Sequence, residues 1–95
     1  MCYIFNLSDN RFRVCEGKVW KKTKRRKLWK RIDDVLPRKN GYQETSITPK
    51  YGTARYVKLC RIIYKAHNPS YNIYDKVIHK DGNKQNNNIS NLFAV

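Results

Sequence analysis

Alternation of apolar and charged positions marks the start of the chain as strand. Phe12, Val14 and then Val19 alternate with Arg11, Arg13 and Lys18, a period of two that sends each set to opposite faces of a pleated ribbon. The apolar and aromatic run CYIFNL before it reads as another strand, SDN supplies turn chemistry, and Glu16-Gly17 breaks the remainder into two short strands. The first twenty residues are therefore expected to form an antiparallel meander with one polar, mostly cationic face. Asn40-Gly41 is a turn signal leading into a strand from Tyr42 to Ile47. A second turn, Pro49 to Gly52, leads to a strand that includes Tyr56 and Val57. Then the period changes. Leu59, Ile62, Ile63 and Ala66 fall at i, i+3, i+4 and i+7, which predicts a helix ended by Asn68-Pro69. SYNIYDK reads as a linker, KVI as a short strand ending at His79, and Asp81-Gly82-Asn83 as a tight turn. NNNISNLF is expected to form one short helix with an asparagine N-cap and Ile89, Leu92 and Phe93 on its buried side.

These elements make an α+β fold: a small antiparallel N-terminal sheet, a central helix and a C-terminal motif. The chain has 95 residues, which fits one domain, with a strand-rich basic part at 1–58 and the helix plus motif at 59–95. A chain of this size buries only about 60–65% of the surface it exposes when unfolded, so one modest core is the ceiling. Charge changes the picture most. With 21 Lys+Arg against 7 Asp+Glu, the net charge is +14, and a self-repelling surface of that kind is best tolerated beside something anionic. Nucleic acid is the leading partner, an acidic membrane surface the lesser one. Residence within a membrane is not expected, since no apolar run approaches the roughly 20 residues a span needs. Cys2, Cys15 and Cys60 are odd in number, scattered and without a C-x-x-C pair, which argues against a disulfide framework or zinc site and for a reducing, intracellular setting.

The charge is concentrated. Between Lys18 and Arg31, nine of fourteen residues are cations (Lys18, Lys21, Lys22, Lys24, Arg25, Arg26, Lys27, Lys30 and Arg31), and nothing acidic interrupts them. Such a run is often no more than a solvated face. Here Trp20, Leu28 and Trp29 interleave with it, as expected for cations displayed on a structured ribbon; the tryptophans are read as core or edge packing rather than base-stacking platforms. With Arg38 and Lys39, these cations are the candidate nucleic-acid-binding residues.

The stretch HKDGNKQNNNISNL carries the remaining chemistry, and it resembles the H-x-D-G-N-x-x-N-N-x-x-x-N-L signature of phage-type HNH homing endonucleases. His79, Asp81, Gly82, Asn83, Asn86, Asn87, Asn91 and Leu92 occupy all the named positions. Upstream, YVKLCRIIYKAHNP is similar to the helix that precedes the motif, with Cys60 where a histidine is usual, and GKVWKK…LPRKNGYQETSI to the family's strand region. The resemblance covers most of the chain, with clear motif strength from His79 to Leu92. It implies a ββα-metal nuclease motif, with His79 as the general base that takes a proton from the attacking water. Asn91 would pin the loop carrying the histidine, while Asp81, Gly82 and Asn83 shape the turn. One divalent cation, Mg²⁺ or Mn²⁺, would hold the scissile phosphate. A viral or phage origin is a further implication.

Two departures from the signature alter that expectation. The family places Asp or Asn directly before the catalytic histidine, as an oxygen donor to the metal; here the position is Ile78. The family's second metal ligand lies on a helix after the Asn91 position, and the sequence ends four residues past Asn91, as if truncated after the motif's second strand. No metal ligand is therefore assigned. Two roles stand open for His79, general base and structural remnant. His67 is expected to be a buried or half-buried core residue and Cys60 a small core residue; the seven tyrosines are read mostly as sheet and core packing, with DNA-backbone lining open as a second role for Tyr71 and Tyr74, which flank the motif. The expected function is binding of duplex DNA through the basic surface, with catalysis degraded or absent. An active metal-dependent nicking endonuclease and a basic accessory protein in an RNA- or protein-containing assembly are the alternatives.

Overall fold

A computed structural model describes residues 2–7, 10–23, 28–47 and 55–95. The alternating N-terminal segment forms three strands, β1 (Cys2–Leu7), β2 (Asn10–Cys15) and β3 (Lys18–Thr23), and the two-residue strand β4 (Lys30–Arg31) completes an antiparallel sheet in the order β1-β2-β3-β4. The β2–β3 connection is a two-residue turn, with Cys15 opposite Lys18. Both of its central residues take positive φ, Glu16 at 51° and Gly17 at 80°, the conformation whose twist matches a tight hairpin. β5 (Glu44–Ile47) pairs with β6 (Arg55–Lys58), and β6 runs directly into the helix α1 (Leu59–His67). β7 (Val77–His79) pairs with β8 (Leu92–Ala94), and a single 3₁₀ turn, Ile89–Asn91, precedes β8. The architecture is α+β, as the hydrophobic periods predict.

Period decides what is buried. The inward residues of the first sheet, Phe12, Val14 and Val19, are essentially inaccessible. They join Ile32, Ile47 and Val57, the buried stripe of α1 (Leu59, Cys60, Ile62, Ile63 and Ala66), and Tyr71, Ile73, Val77 and Leu92 in a continuous core. The helix stripe has the expected spacing, and α1 touches β1, β2, β6, β7 and β8. Its end is closed by Asn68, whose N–H donates to the carbonyls of Tyr64 and Lys65 at 2.9 and 3.3 Å. Lys65 and His67 stand in the last turn, where the helix dipole favours positive charge. Among the described residues no helix is long and apolar enough to cross a membrane.

Several expectations are corrected. Cys2 and Cys15 stand opposite each other in the β1–β2 register and are joined as a disulfide, while Cys60 is a free, buried thiol. Strand register brings together two cysteines that their spacing along the chain does not suggest, and the inference from unpaired thiols to a reducing compartment loses its premise. The segment NNNISNLF is not one helix. Its 3₁₀ turn, capped by the Asn88 side chain on the Ser90 N–H, yields at once to β8, because β7 offers a partner edge. Alternation then leaves Leu92 buried and Phe93 exposed. His67 is exposed, its ring lying 4.5 Å from that of Tyr3, because it falls off the buried stripe of α1. Tyr71 is buried, its hydroxyl donating to the Asp75 carbonyl, and only Tyr74 stays on the surface.

Candidate functional site

The outward face of the first sheet follows from the same register. Arg11 stands opposite Lys22 and Asn6, Arg13 opposite Trp20 and Ile4, and Trp20 opposite Arg31. The Arg13 guanidinium lies 4.3 Å from the Trp20 ring centre and 5.5 Å from that of Trp29, with the Lys22 ammonium 6.0 Å from Trp29. The tryptophans, half-buried, thus pack on the cationic side rather than in the core, where they hold the cations by cation–π attraction. Arg13 Nε finds no acceptor among the described residues. Arg31 is bidentate to Asp33, at 2.8 Å for both bonds, and this guanidinium holds the Asp33 carboxyl below the usual carboxylate range.

Not every predicted cation belongs to this face. Lys21 alternates inward beside the core, and its ammonium donates to the Ser46 carbonyl on β5. Lys18 and Lys30 are exposed, and Lys39 is exposed on the 38–42 turn. Arg38 pairs with Glu44 at 3.1 Å and stacks over Tyr56 at 4.1 Å. Lys24, Arg25, Arg26 and Lys27 lie outside the described residues.

His79 ends β7 and is 7% exposed. Its Nε2 lies 2.8 Å from Asn87 Oδ1, and the Asn87 Nδ2 donates to Gln43 Oε1 at 3.1 Å. Gln43 in turn donates through Nε2 to the carbonyls of Asp33 and Val35, at 3.0 and 2.8 Å. The direction of this chain is forced. Two carbonyls can only accept, so the Gln43 amide must point its nitrogen at them and its oxygen at Asn87. Asn87 then offers oxygen to His79, which requires a proton on Nε2 and selects, of the two neutral tautomers, the one with its lone pair on Nδ1.

The loop between β7 and β8 is held by amides. Asn91, buried, accepts the Asp81 N–H at 3.1 Å and donates to Asp81 Oδ1 and the Asn86 carbonyl, both at 2.9 Å. Asp81 further accepts from the Asn86 amide and the Asn83 N–H, each at 2.8 Å, and these donors, Asn86 foremost, hold its carboxyl below the ordinary range. Gly82 takes φ of 73° in this turn. A second tie crosses to the N-terminal part: the Lys84 ammonium donates to the Asn40 carbonyl at 3.0 Å. Tyr42 completes the wall, its ring 5.9 Å from that of His79.

These residues do not fit a divalent metal. No cluster of three His, Cys, Asp or Glu side chains occurs among the described residues. Ile78 supplies no donor atom, and both Asp81 oxygens are engaged in shaping the turn. A hard cation such as Mg²⁺ needs free oxygen donors.

A short antiparallel hairpin with histidine at the end of its first strand and an amide-tied connecting loop is the arrangement expected from the resemblance for the ββ part of a ββα motif. Residues 57–95 match the family model described as HNH endonuclease, so this part of the chain is similar to HNH-type nucleases. A search of the curated proteins returned no significant match, and neither did a search of the solved structures.

Of the motif residues predicted from sequence, Asp81, Asn86 and Asn91 bond to one another around a turn that holds Gly82 and Asn83, and His79 bonds separately to Asn87. Gln43, Asn40, Tyr42 and Lys84 were missed. Their partners lie 44 residues away for both cross-ties, Asn40–Lys84 and Gln43–Asn87, so no local spacing announces them.

Proposed function

We propose that the chain binds duplex DNA through the outward face of β1–β4, and that the described HNH-type residues position nucleic acid without hydrolysing it. One observation supports this reading above the others: Arg11, Arg13, Lys18, Lys22 and Arg31 share a sheet face with two tryptophans, and of these cations Arg31 is paired with a carboxylate, that of Asp33. A twisted ribbon of cations of this kind fits the backbone-positioning contacts that dominate DNA affinity. An intracellular location accompanies that partner. The donor set around His79 gives hydrolysis by a bound metal no support from the described residues.

A second reading, a metal-dependent nicking endonuclease, is favoured by the oriented His79, whose Nδ1 is set to accept a proton. It requires oxygen donors from elsewhere. Supercoiled plasmid incubated at low salt with Mg²⁺ or Mn²⁺, with the parent chain and with His79→Ala, separates the two. Binding without cleavage predicts retarded, intact plasmid for both proteins. Relaxation by the parent alone establishes the second reading. Failure to retard DNA while structured RNA is retarded at the same salt replaces both with an RNA-bound accessory role.

A further inference from the structure

We infer that Lys58 and Lys84, held over the Tyr42 ring beside His79, form a phosphate-binding pair that grips a nucleic-acid backbone without a metal. The inference rests on the DNA-binding reading but concerns a different surface from the sheet face. Lys58 closes β6, and its ammonium lies 3.9 Å from the Tyr42 ring centre; that of Lys84, from the β7–β8 loop, lies 4.9 Å from the same centre. Two positive groups drawn to one ring repel each other, and the ring's quadrupole offsets only part of that.

Neither lysine has a carboxylate partner among the described residues. The natural candidate for Lys58 is Glu44, directly opposite it in the β5–β6 register, but Glu44 gives its carboxylate to Arg38. Asp81, in the same loop as Lys84, is occupied by Asn83, Asn86 and Asn91. The pair is thus a local excess of positive charge with no carboxylate among the described residues to offset it. Lys84 is also pre-positioned. Its stem crosses Gly41, where an added Cβ would meet Lys84 Cδ at 3.1 Å, and its ammonium already donates to the Asn40 carbonyl. A side chain so constrained has little rotamer freedom left to lose on binding. An ammonium acts on phosphate as a compact point charge with several donors, so Lys84 can keep Asn40 and still reach a phosphate oxygen. The class of ligand is a phosphodiester, gripped beside Tyr42 and near His79.

The test is fluorescence anisotropy with a labelled duplex oligonucleotide, in EDTA, across a range of KCl concentrations. For the parent, log affinity should fall linearly with log salt. Lys58→Gln and Lys84→Gln should each make that slope shallower by about 0.9, and the double variant by about 1.8, as one phosphate contact is lost per lysine. Lys58→Arg and Lys84→Arg should restore it. Circular dichroism of each glutamine variant separates lost contact from lost fold, and Lys22→Gln serves as the comparison on the sheet face. Unchanged slopes in folded glutamine variants, with DNA still bound, overturn the lysine pair and leave the DNA reading standing. A parent chain that does not bind the duplex overturns both.

Discussion

The N-terminal sheet and the C-terminal hairpin solve opposite problems with opposite chemistry. The sheet buries Phe12, Val14 and Val19 on one face and carries cations on the other, and its order comes from apolar area removed from water. The hairpin adds Val77 and Leu92 to the core, with Ile89 and Ala94 partly buried beside them, and its loop is fixed by Asn86, Asn91 and Asp81 bonding to one another and to backbone and by Asn87 bonding to His79 and Gln43. A surface that must present charge tolerates approximate placement. A site that must hold a histidine in one tautomer does not, and hydrogen bonds carry the directionality that apolar packing lacks. Cations are therefore spread widely over the first region, and amides are concentrated in the second.

Truncation experiments break this comparison most sharply. Phe12→Ala, at a position with no exposure, should destabilise the chain by about 3–5 kcal/mol, because a large ring is lost and the sheet collapses only partly into the void. Asn91→Ala removes no comparable apolar area, yet strips partners from the Asp81 N–H, the Asp81 carboxylate and the Asn86 carbonyl. Its expected cost is about 1–3 kcal/mol, smaller because the neighbouring loop is open enough for water to replace some of the bonds. Urea denaturation of both variants gives the two values. An Asn91→Ala cost equal to that of Phe12→Ala would mean the hairpin network supports the whole fold.

The two regions also differ in how much the sequence discloses. Strand and helix periods are local, so the meander, α1 and the β7 strand ending at His79 are legible from spacing alone. The HNH-like signature is equally local, and its residues meet in two hydrogen-bonded sets on one hairpin. Three kinds of feature are not legible. The Cys2–Cys15 pairing depends on strand register, the inward turn of Lys21 on which face of β3 meets the core, and the hold on His79 on a contact with Gln43. The β8 segment has the spacing of a helix, because asparagine capping and apolar spacing fit both states over so short a stretch, and the edge of β7 decides between them.

The amide chain offers a finer test. Long-range ¹H–¹⁵N correlation spectra of His79 in alkaline buffer should show the proton on Nε2 in the parent chain. Gln43→Leu frees the Asn87 amide to rotate and removes donors from the Asp33 and Val35 carbonyls. It should introduce a population with the proton on Nδ1, at a stability cost of about 1–2 kcal/mol. Asn87→Asp, which can only accept when ionised, should keep the parent tautomer. A parent spectrum with the proton on Nδ1 would mean that Asn87 does not offer its oxygen to His79, and that Gln43 does not hold the ring through it.

The smallest expected effect separates the two regions by the nature of their carboxylates. Asp33 is held low chiefly by the charged Arg31 guanidinium, Asp81 by the neutral amides of Asn86 and Asn91 and the Asn83 N–H. Both are depressed in the folded chain, so both contribute stability above the unfolded value of about 3.9, and lose it as pH falls through the lower folded values. Salt screens a partly exposed ion pair but scarcely weakens a short hydrogen bond from an uncharged donor. Carboxyl-carbon titrations by NMR at low and molar salt should therefore move Asp33 toward the ordinary range by more than Asp81. Part of any rise is common to both, since salt also screens the general field of a chain with net charge +14, so the difference between the two residues is the informative quantity. Equal movement would mean that Asp81 too is depressed by surrounding cations, and the contrast between a charge-ordered sheet and an amide-ordered hairpin would fail at the residue on which the hairpin turns.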